Sequence, residues 1–263
     1  MIKSIRKHIR NTFKSDKEVE ASIASIEKKL SSLNKKMDSC NKMLKESIWS
    51  DVYRDTVHDS SWFTKRDISP GRWAVGYPTL YVLYRVLDEF KPRQILELGL
   101  GQSTKMISQY ASFHEGVSHF VVEHDDSWIE FMSNSNMLPD NTKIVKLERT
   151  MCKYKDVENI RVFKGFKEKF EDCKFDLIII DAPLGGDMPI YSRIDVLGIL
   201  PGSLNDDFCI IMDDYNRPGE KNTGKEISSI LNANNIEYRT GKYAGEKDTG
   251  IWVSDNMQYF TSM

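Results

Sequence analysis

Between Gln94 and Lys105 the chain reads Gln-Ile-Leu-Glu-Leu-Gly-Leu-Gly-Gln-Ser-Thr-Lys, an apolar run that meets two glycines and then a helix start. A strand, a glycine turn and a helix in that order form a βα unit, which belongs in a largely parallel sheet covered by helices. Gly99 and Gly101 have no side chain to hold a ligand off the backbone, and Ser103 and Thr104 can cap the following helix. The turn therefore suits a nucleotide-type cofactor. The dinucleotide fingerprint has a third glycine where Thr104 stands, and here Glu97 puts an acid two residues before the first glycine. A carboxylate at that point fits a cationic ligand end better than two phosphates, which disfavours a nicotinamide cofactor.

A second acid lies at a telling distance. His119-Phe-Val-Val-Glu123 reads as the next strand, and Glu123 closes it 22 residues after Gly101, where an acidic side chain accepts hydrogen bonds from ribose hydroxyls. With Glu97-x-Gly99-x-Gly101-x-Ser103, the pattern resembles the S-adenosylmethionine-dependent methyltransferases of the Rossmann-like class. The resemblance implies that Glu97, Gly99, Gly101, Ser103 and Thr104 surround the methionine end of S-adenosylmethionine. It also implies Glu123 on the ribose; His124, directly after it, reads either as an adenine-edge residue or as one that supports the site from behind, rather than as a metal ligand.

The remaining elements support an α/β, doubly wound, mainly parallel seven-stranded sheet. Leu80, Leu83, Tyr84 and Leu87 predict a helix over 77–90 that feeds the first strand. Further strands are expected at 143–147, 175–180 and 208–212, with two short ones near 236–239 and 250–253. Helices are expected around 191–200 and 226–232, while 148–174 is charged and aperiodic. Ligands of such sheets sit at the carboxyl ends of the strands. Strand 175–180 ends in Asp181 and strand 208–212 in Asp213-Asp214, so three carboxylates are delivered to the edge that carries Gly99 and Glu123. Three like charges destabilise one another unless a cation joins them, and oxygen-only ligands favour magnesium or another hard divalent ion. The opposing reading makes Asp181 an Asx-turn residue and Asp213-Asp214 the start of a surface loop.

The acids extend the resemblance to metal-dependent O-methyltransferases, in which such residues hold the ion and Asp181 would double as base. Met212-Asp-Asp-Tyr215 is similar to a segment of macrolide-sugar O-methyltransferases, and Ile180-Asp-Ala-Pro183 with Gly185 to one of plant glucuronoxylan methyltransferases. Both modify sugar hydroxyls, which implies a sugar or glycan acceptor. Leu184 stands where catechol-type relatives place a base. Asp187, Tyr191 and Arg193 follow the Asp181 loop as candidates to face the acceptor, although packing explains Tyr191 equally well. Trp128 carries no assigned chemistry.

The amino-terminal residues are organised differently. Val19, Ile23, Ile26, Leu30, Leu33, Met37, Cys40 and Leu44 recur at alternating spacings of 4 and 3, a heptad seam in a segment without Pro or Gly. Residues 17–48 are therefore expected to form a homo-oligomeric coiled coil, the alternative being one amphipathic helix packed on its own domain. Residues 1–14 hold five Lys/Arg, no acid, and apolar residues at helical spacing. They suit peripheral contact with an anionic membrane, or simply extend the stripe. The expected division is 1–48 for the helical segment, 49–75 for a linker and entry segment and 76–263 for the catalytic domain.

Charge separates the same parts. Residues 1–48 carry 12 Lys/Arg against 6 Asp/Glu and the remainder 25 against 33, so the catalytic part is acidic and a nucleic-acid partner is not expected. Four cysteines with no metal-type spacing, no apolar run of membrane-spanning length and no signal-type segment point to the cytoplasm, or to the inner face of the membrane. The sequence thus predicts a metal-assisted O-methyltransferase acting on a glycan. Its alternatives are a metal-independent enzyme acting on nitrogen or a small metabolite, and an inactive scaffold.

Overall fold

The computed structural model describes residues 2–71, 74–134 and 141–262, and the side chains within those spans other than at 2–3 and 6–17. The chain divides into two compact units, 1–44 and 45–263. Helix α1, Ile2–Thr56, supplies the described part of the first unit and the opening of the second. In the first unit every described side chain is exposed, including Ile23, Leu30 and Leu33 of the apolar stripe. The basic face expected over residues 1–14 lies outside the described side chains, Ser4 and Ile5 excepted. No helix among the described residues is long and apolar enough to cross a membrane.

The second unit is built on a seven-stranded sheet. In chain order its elements are α2 (Tyr77–Arg85), β1 (Gln94–Leu98), α3 (Gln102–Phe113), β2 (Ser118–Glu123), α4 (Asp126–Asn134) and β3 (Thr142–Lys146). There follow β4 (Arg149–Tyr154), β5 (Val157–Phe163), α5 (Phe166–Phe170), β6 (Phe175–Ile180), β7 (Leu204–Met212), α6 (Pro218–Ala233), β8 (Tyr238–Tyr243) and β9 (Thr249–Ser254). The strand order is β3-β2-β1-β6-β7-β9-β8. Strands β3, β2, β1, β6 and β7 run parallel, while β9 is antiparallel to β7 and to β8. The chain builds outward from β1 in one direction and from β6 in the other, so a crevice opens between their carboxyl ends.

Apolar alternation within the central strands fills both faces of this sheet. Leu177 and Ile179 of β6 join one buried cluster with Ile95, Ile211 and the aromatic residues Trp62, Phe63 and Tyr84. Ile178 and Ile180 join the other with Leu96, Leu98, Met212 and Trp252. A strand covered on both sides has no solvent face, which is why β6 reads as an unbroken apolar run.

Three expectations are corrected. The segment expected as a linker contributes Trp49, Tyr53, Val57, Trp62 and Phe63 to the core, and Glu46 of α1 accepts hydrogen bonds from the backbone N–H of Tyr77 (2.7 Å) and Glu246 (2.9 Å). The aperiodic stretch contains the antiparallel hairpin β4–β5, which pairs only with itself, so neither strand carries the continuous apolar signal of the main sheet. The helix expected over 191–200 shrinks to a single 3-10 turn, Ile194–Gly198, because Arg193 before it takes the left-handed conformation at φ 56°. The expected helix over 77–90 is α2 continued by a π-type turn, Val86–Phe90.

Candidate active site

Strand register places the site. Leu98 pairs with Val122 and with Ile180, and Ile180 pairs with Met212. The next residue of each strand, Gly99, Glu123, Asp181 and Asp213, therefore emerges side by side at one edge of the sheet. The backbone ladder continues into them, with Gly99 N–H donating to Val122 O at 3.0 Å, Asp181 N–H to Leu98 O at 3.0 Å and Asp213 N–H to Ile180 O at 3.1 Å.

A cleft of about 570 Å³ opens there, lined by Gly99, Gly101, Glu123, His124, Trp128 and Asp181 among others. That is within the usual range for small-molecule sites. Gly99 sits at φ 107°, and a Cβ on it would come within 3.1 Å of the Ala182 Cβ, so both conformation and space require glycine. Gly101 differs: its φ of −163° is open to any residue, and a Cβ there would meet nothing within 4 Å. Its missing side chain leaves open space at the cleft wall, as a ligand approaching the backbone requires. Thr104 stands behind it, its hydroxyl accepting the Gly101 N–H at 2.8 Å.

Glu97, Ser103 and Thr104 are buried and do not line the cleft. Ser103 Oγ donates to Glu97 Oε1 at 2.5 Å, and His119 Nε2 lies 2.9 Å from Glu97 Oε2. The expected direct contact of these three side chains with a ligand is thus replaced by a brace beneath the glycine loop. The reason is that Glu97 lies on a strand covered on both faces, where only paired polar groups are tolerated. Glu123 does reach the cleft. Its Oε1 accepts the N–H of His124 at 2.6 Å and of Asp125 at 3.0 Å, and its Oε2 accepts Leu100 N–H at 3.3 Å. Those bonds hold the carboxylate at the cleft wall in one orientation. Trp128, to which the sequence assigned nothing, also lines the cleft and donates Nε1–H to Leu100 O at 2.6 Å. Its only sequence signal is an indole two residues after the helix start at Asp126.

The three aspartates converge. One oxygen from each of Asp181, Asp213 and Asp214 lies within 4.8 Å of the others. The sequence expected a divalent ion to join them, and the chain itself brings three cations to the same acids. Arg193 Nη2 lies 2.9 Å from Asp214 Oδ2 and 3.1 Å from Asp181 Oδ1, while its Nη1 donates to Asp213 O at 2.9 Å. Arg217 is 2.8 Å from Asp214 Oδ2, and Lys247 Nζ is 3.5 Å from Asp213 Oδ2. Thr79 Oγ1 donates to Asp213 Oδ1 at 2.7 Å. Arg193 is therefore a partner of the acids and not an acceptor contact. Asp187 forms a two-bond pair with Arg161, both at 2.8 Å, Tyr191 OH lies 3.2 Å from Glu226, and neither Asp187 nor Tyr191 is among the residues that line the cleft.

Carboxyl groups outnumber cations in this cluster. Glu220 is fully buried, both its oxygens lack a hydrogen-bond partner, and it lies 3.5 Å from Arg217 and 3.8 Å from Arg193. Four carboxylates thus face three cations. Burial, with the neighbouring Asp213 charge second, pushes the Asp181 carboxyl up to about 8. Burial likewise raises Asp213, against the pull of Lys247. Asp181 is the member of the trio that lines the cleft.

Comparison with known proteins agrees with this architecture. No family model matches the chain. A curated relative, glucuronoxylan 4-O-methyltransferase 2 of Arabidopsis thaliana, is 28% identical over 158 residues, covering 52% of the chain and 53% of the relative. Glucuronoxylan 4-O-methyltransferase 3 of the same plant is 28% identical over 157 residues, with 52% of each covered. The chain spans about half the length of the curated relatives it matches. Among solved structures, a protein provisionally assigned as a caffeoyl-CoA O-methyltransferase from Staphylococcus aureus superposes at TM-score 0.51 and 15% identity, over 80% of this chain and 99% of that one. The fold is that of the class I methyltransferases. In this methyltransferase fold the glycine loop after β1 and the acid ending β2 stand beside the carboxylates that follow β6 and β7.

Proposed function

We propose that the chain is an S-adenosylmethionine-dependent O-methyltransferase, assisted by a divalent metal, that acts on a sugar or glycan hydroxyl. The observation that carries this reading is the single cleft shared by Gly101, Glu123 and Asp181. Among its described lining residues Glu123, Asp125 and Asp181 are acidic and Arg149 is the basic side chain apart from His124, a balance that favours a cationic ligand end. The open space at Gly101 fits close approach of such a ligand to the backbone. Bound there, S-adenosylmethionine would supply a methyl group on a sulfonium centre, ready for attack by an oxygen nucleophile. Glu123 would fix the ribose, the braced loop would orient the methionine end, and Asp181, in its ionised form, would meet the acceptor hydroxyl and take its proton as the methyl group leaves the sulfonium.

The carboxylate trio fits a hard divalent cation in donor chemistry, since one oxygen from each of its three members lies within 4.8 Å of the others. Asp181, Asp213 and Asp214 would hold the ion. A metal there would favour the ionised form of the acceptor hydroxyl and help align it. The pairing of Arg193 with Asp181 and Asp214 favours a second reading, in which the built-in cations balance the acids and transfer proceeds without metal.

Methyl transfer from labelled S-adenosylmethionine to a panel of glycans and phenols, before and after chelation, separates these readings. Sugar methylation that chelation abolishes and magnesium restores supports the full proposal. Sugar methylation indifferent to chelation removes the metal, and methylation confined to phenols removes the glycan acceptor. The similarity to glucuronoxylan 4-O-methyltransferases supports the choice of glycans for that panel.

A further inference from the structure

The apolar stripe of α1 leaves large hydrophobic side chains in water along the first unit. Ile26 and Leu33 are 63% and 61% exposed, and each described residue from 18 to 44 is exposed. Scattered apolar residues on a surface need no explanation, but a continuous seam does. Val19, Ile26, Leu33 and Cys40 occupy heptad position d, and Ile23, Leu30, Met37 and Leu44 occupy position a. From Val19 to Leu44 the seam extends roughly 38 Å at 1.5 Å per residue.

The flanking charges decide the orientation of a second copy. Position e carries the acids, Glu20 and Glu27, and position g carries the bases, Lys29 and Lys36. In a parallel, in-register pairing g faces e of the following heptad, so Lys29 meets Asn34 and Lys36 meets Asn41, with no like charges opposed. The antiparallel register that keeps all eight seam residues in contact pairs Leu30 with Leu33 and Ile23 with Cys40. It also sets Lys29 of each copy against Lys36 of the other, a repulsive arrangement made twice. We infer that α1 is a self-association surface whose partner is a second copy of this chain, aligned parallel and in register. Met37, Cys40 and the mixture of Leu, Ile and Val along the seam leave the number of strands unspecified, but every parallel in-register assembly brings Cys40 against its own counterpart.

Cys40 thereby reports the geometry. The 263-residue chain, with Cys152 and Cys173 replaced by Ser, would be sedimented at micromolar concentration and then mildly oxidised. A parallel seam predicts an oligomer whose subunits become joined by a reducible link, lost in Cys40→Ser and regained when Leu33→Cys, also at position d, is added to Cys40→Ser. Leu30→Glu with Leu33→Glu should give monomers with unchanged S-adenosylmethionine binding, since the seam lies outside the cleft residues. A monomeric parent protein overturns the proposal, and so does an oligomer that stays unlinked both through Cys40 and in the variant combining Leu33→Cys with Cys40→Ser. Persistence of the oligomer in the double Glu variant also overturns it, because association would then use another surface.

Discussion

The charged cluster depends above all on Arg193, which joins Asp181, Asp214 and the backbone carbonyl of Asp213 from a position closed to solvent. Removing one partner of a buried ionic network leaves uncompensated charge, so Arg193→Met is predicted to lower the unfolding free energy by about 3–5 kcal/mol in urea denaturation. A loss below about 1 kcal/mol would show that the acids do not need this cation. Asp195 offers a pH-dependent counterpart. One oxygen accepts Phe163 N–H at 2.6 Å, the other is buried without a partner, and burial raises the carboxyl from 3.8 to about 7. Between those values the folded state holds a proton that the unfolded chain has lost. Its contribution to stability is therefore full below about pH 4 and declines as pH rises through about 7. Asp195→Asn should flatten that slope and raise stability at pH 8 by an amount on the order of 1–3 kcal/mol. Thermal unfolding of both proteins from pH 5 to pH 8 measures the difference, and parallel curves would contradict it.

At the scale of elements, legibility follows burial. Strand β6 is evident in sequence because Leu177, Ile178, Ile179 and Ile180 are all fully buried, two on each face of the sheet. Ile179→Ala is accordingly predicted to cost about 2–5 kcal/mol in denaturant unfolding, whereas the same change at exposed Ile190 should cost under about 0.5 kcal/mol. The hairpin β4–β5 gives no such signal, since Glu158, Asn159 and Met151 are exposed and the two strands pair only with each other. The glycine loop was legible because Gly99 and Gly101 are adjacent in sequence to the strand they end. The brace below it was not, since His119 reaches Glu97 from the next strand, 22 residues on. Thr79 and Lys247 likewise reach Asp213 across separations of 134 and 34 residues, where no local pattern announces a contact. Asp181, Asp213 and Asp214 were legible as a group because each follows the end of an apolar strand, but their cationic partners were not.

On the scale of the whole molecule, the sheet's reversal between β1 and β6 makes one cleft and the register of four strands fills its edge with Gly99, Glu123, Asp181 and Asp213. Cofactor binding in that cleft is the claim on which the catalytic account stands. Gly101 provides the sharpest probe, because its backbone is extended and a side chain there meets open space, so Gly101→Val can occupy the cleft without straining the fold. Isothermal titration calorimetry with S-adenosylmethionine on the parent protein and on Gly101→Val, with matched melting temperatures to verify folding, tests it directly. The account predicts one saturable site in the parent and at least roughly tenfold weaker binding in the variant, a loss of about 1.4 kcal/mol or more. Equal affinity in both proteins, or no binding to the folded parent, would contradict it.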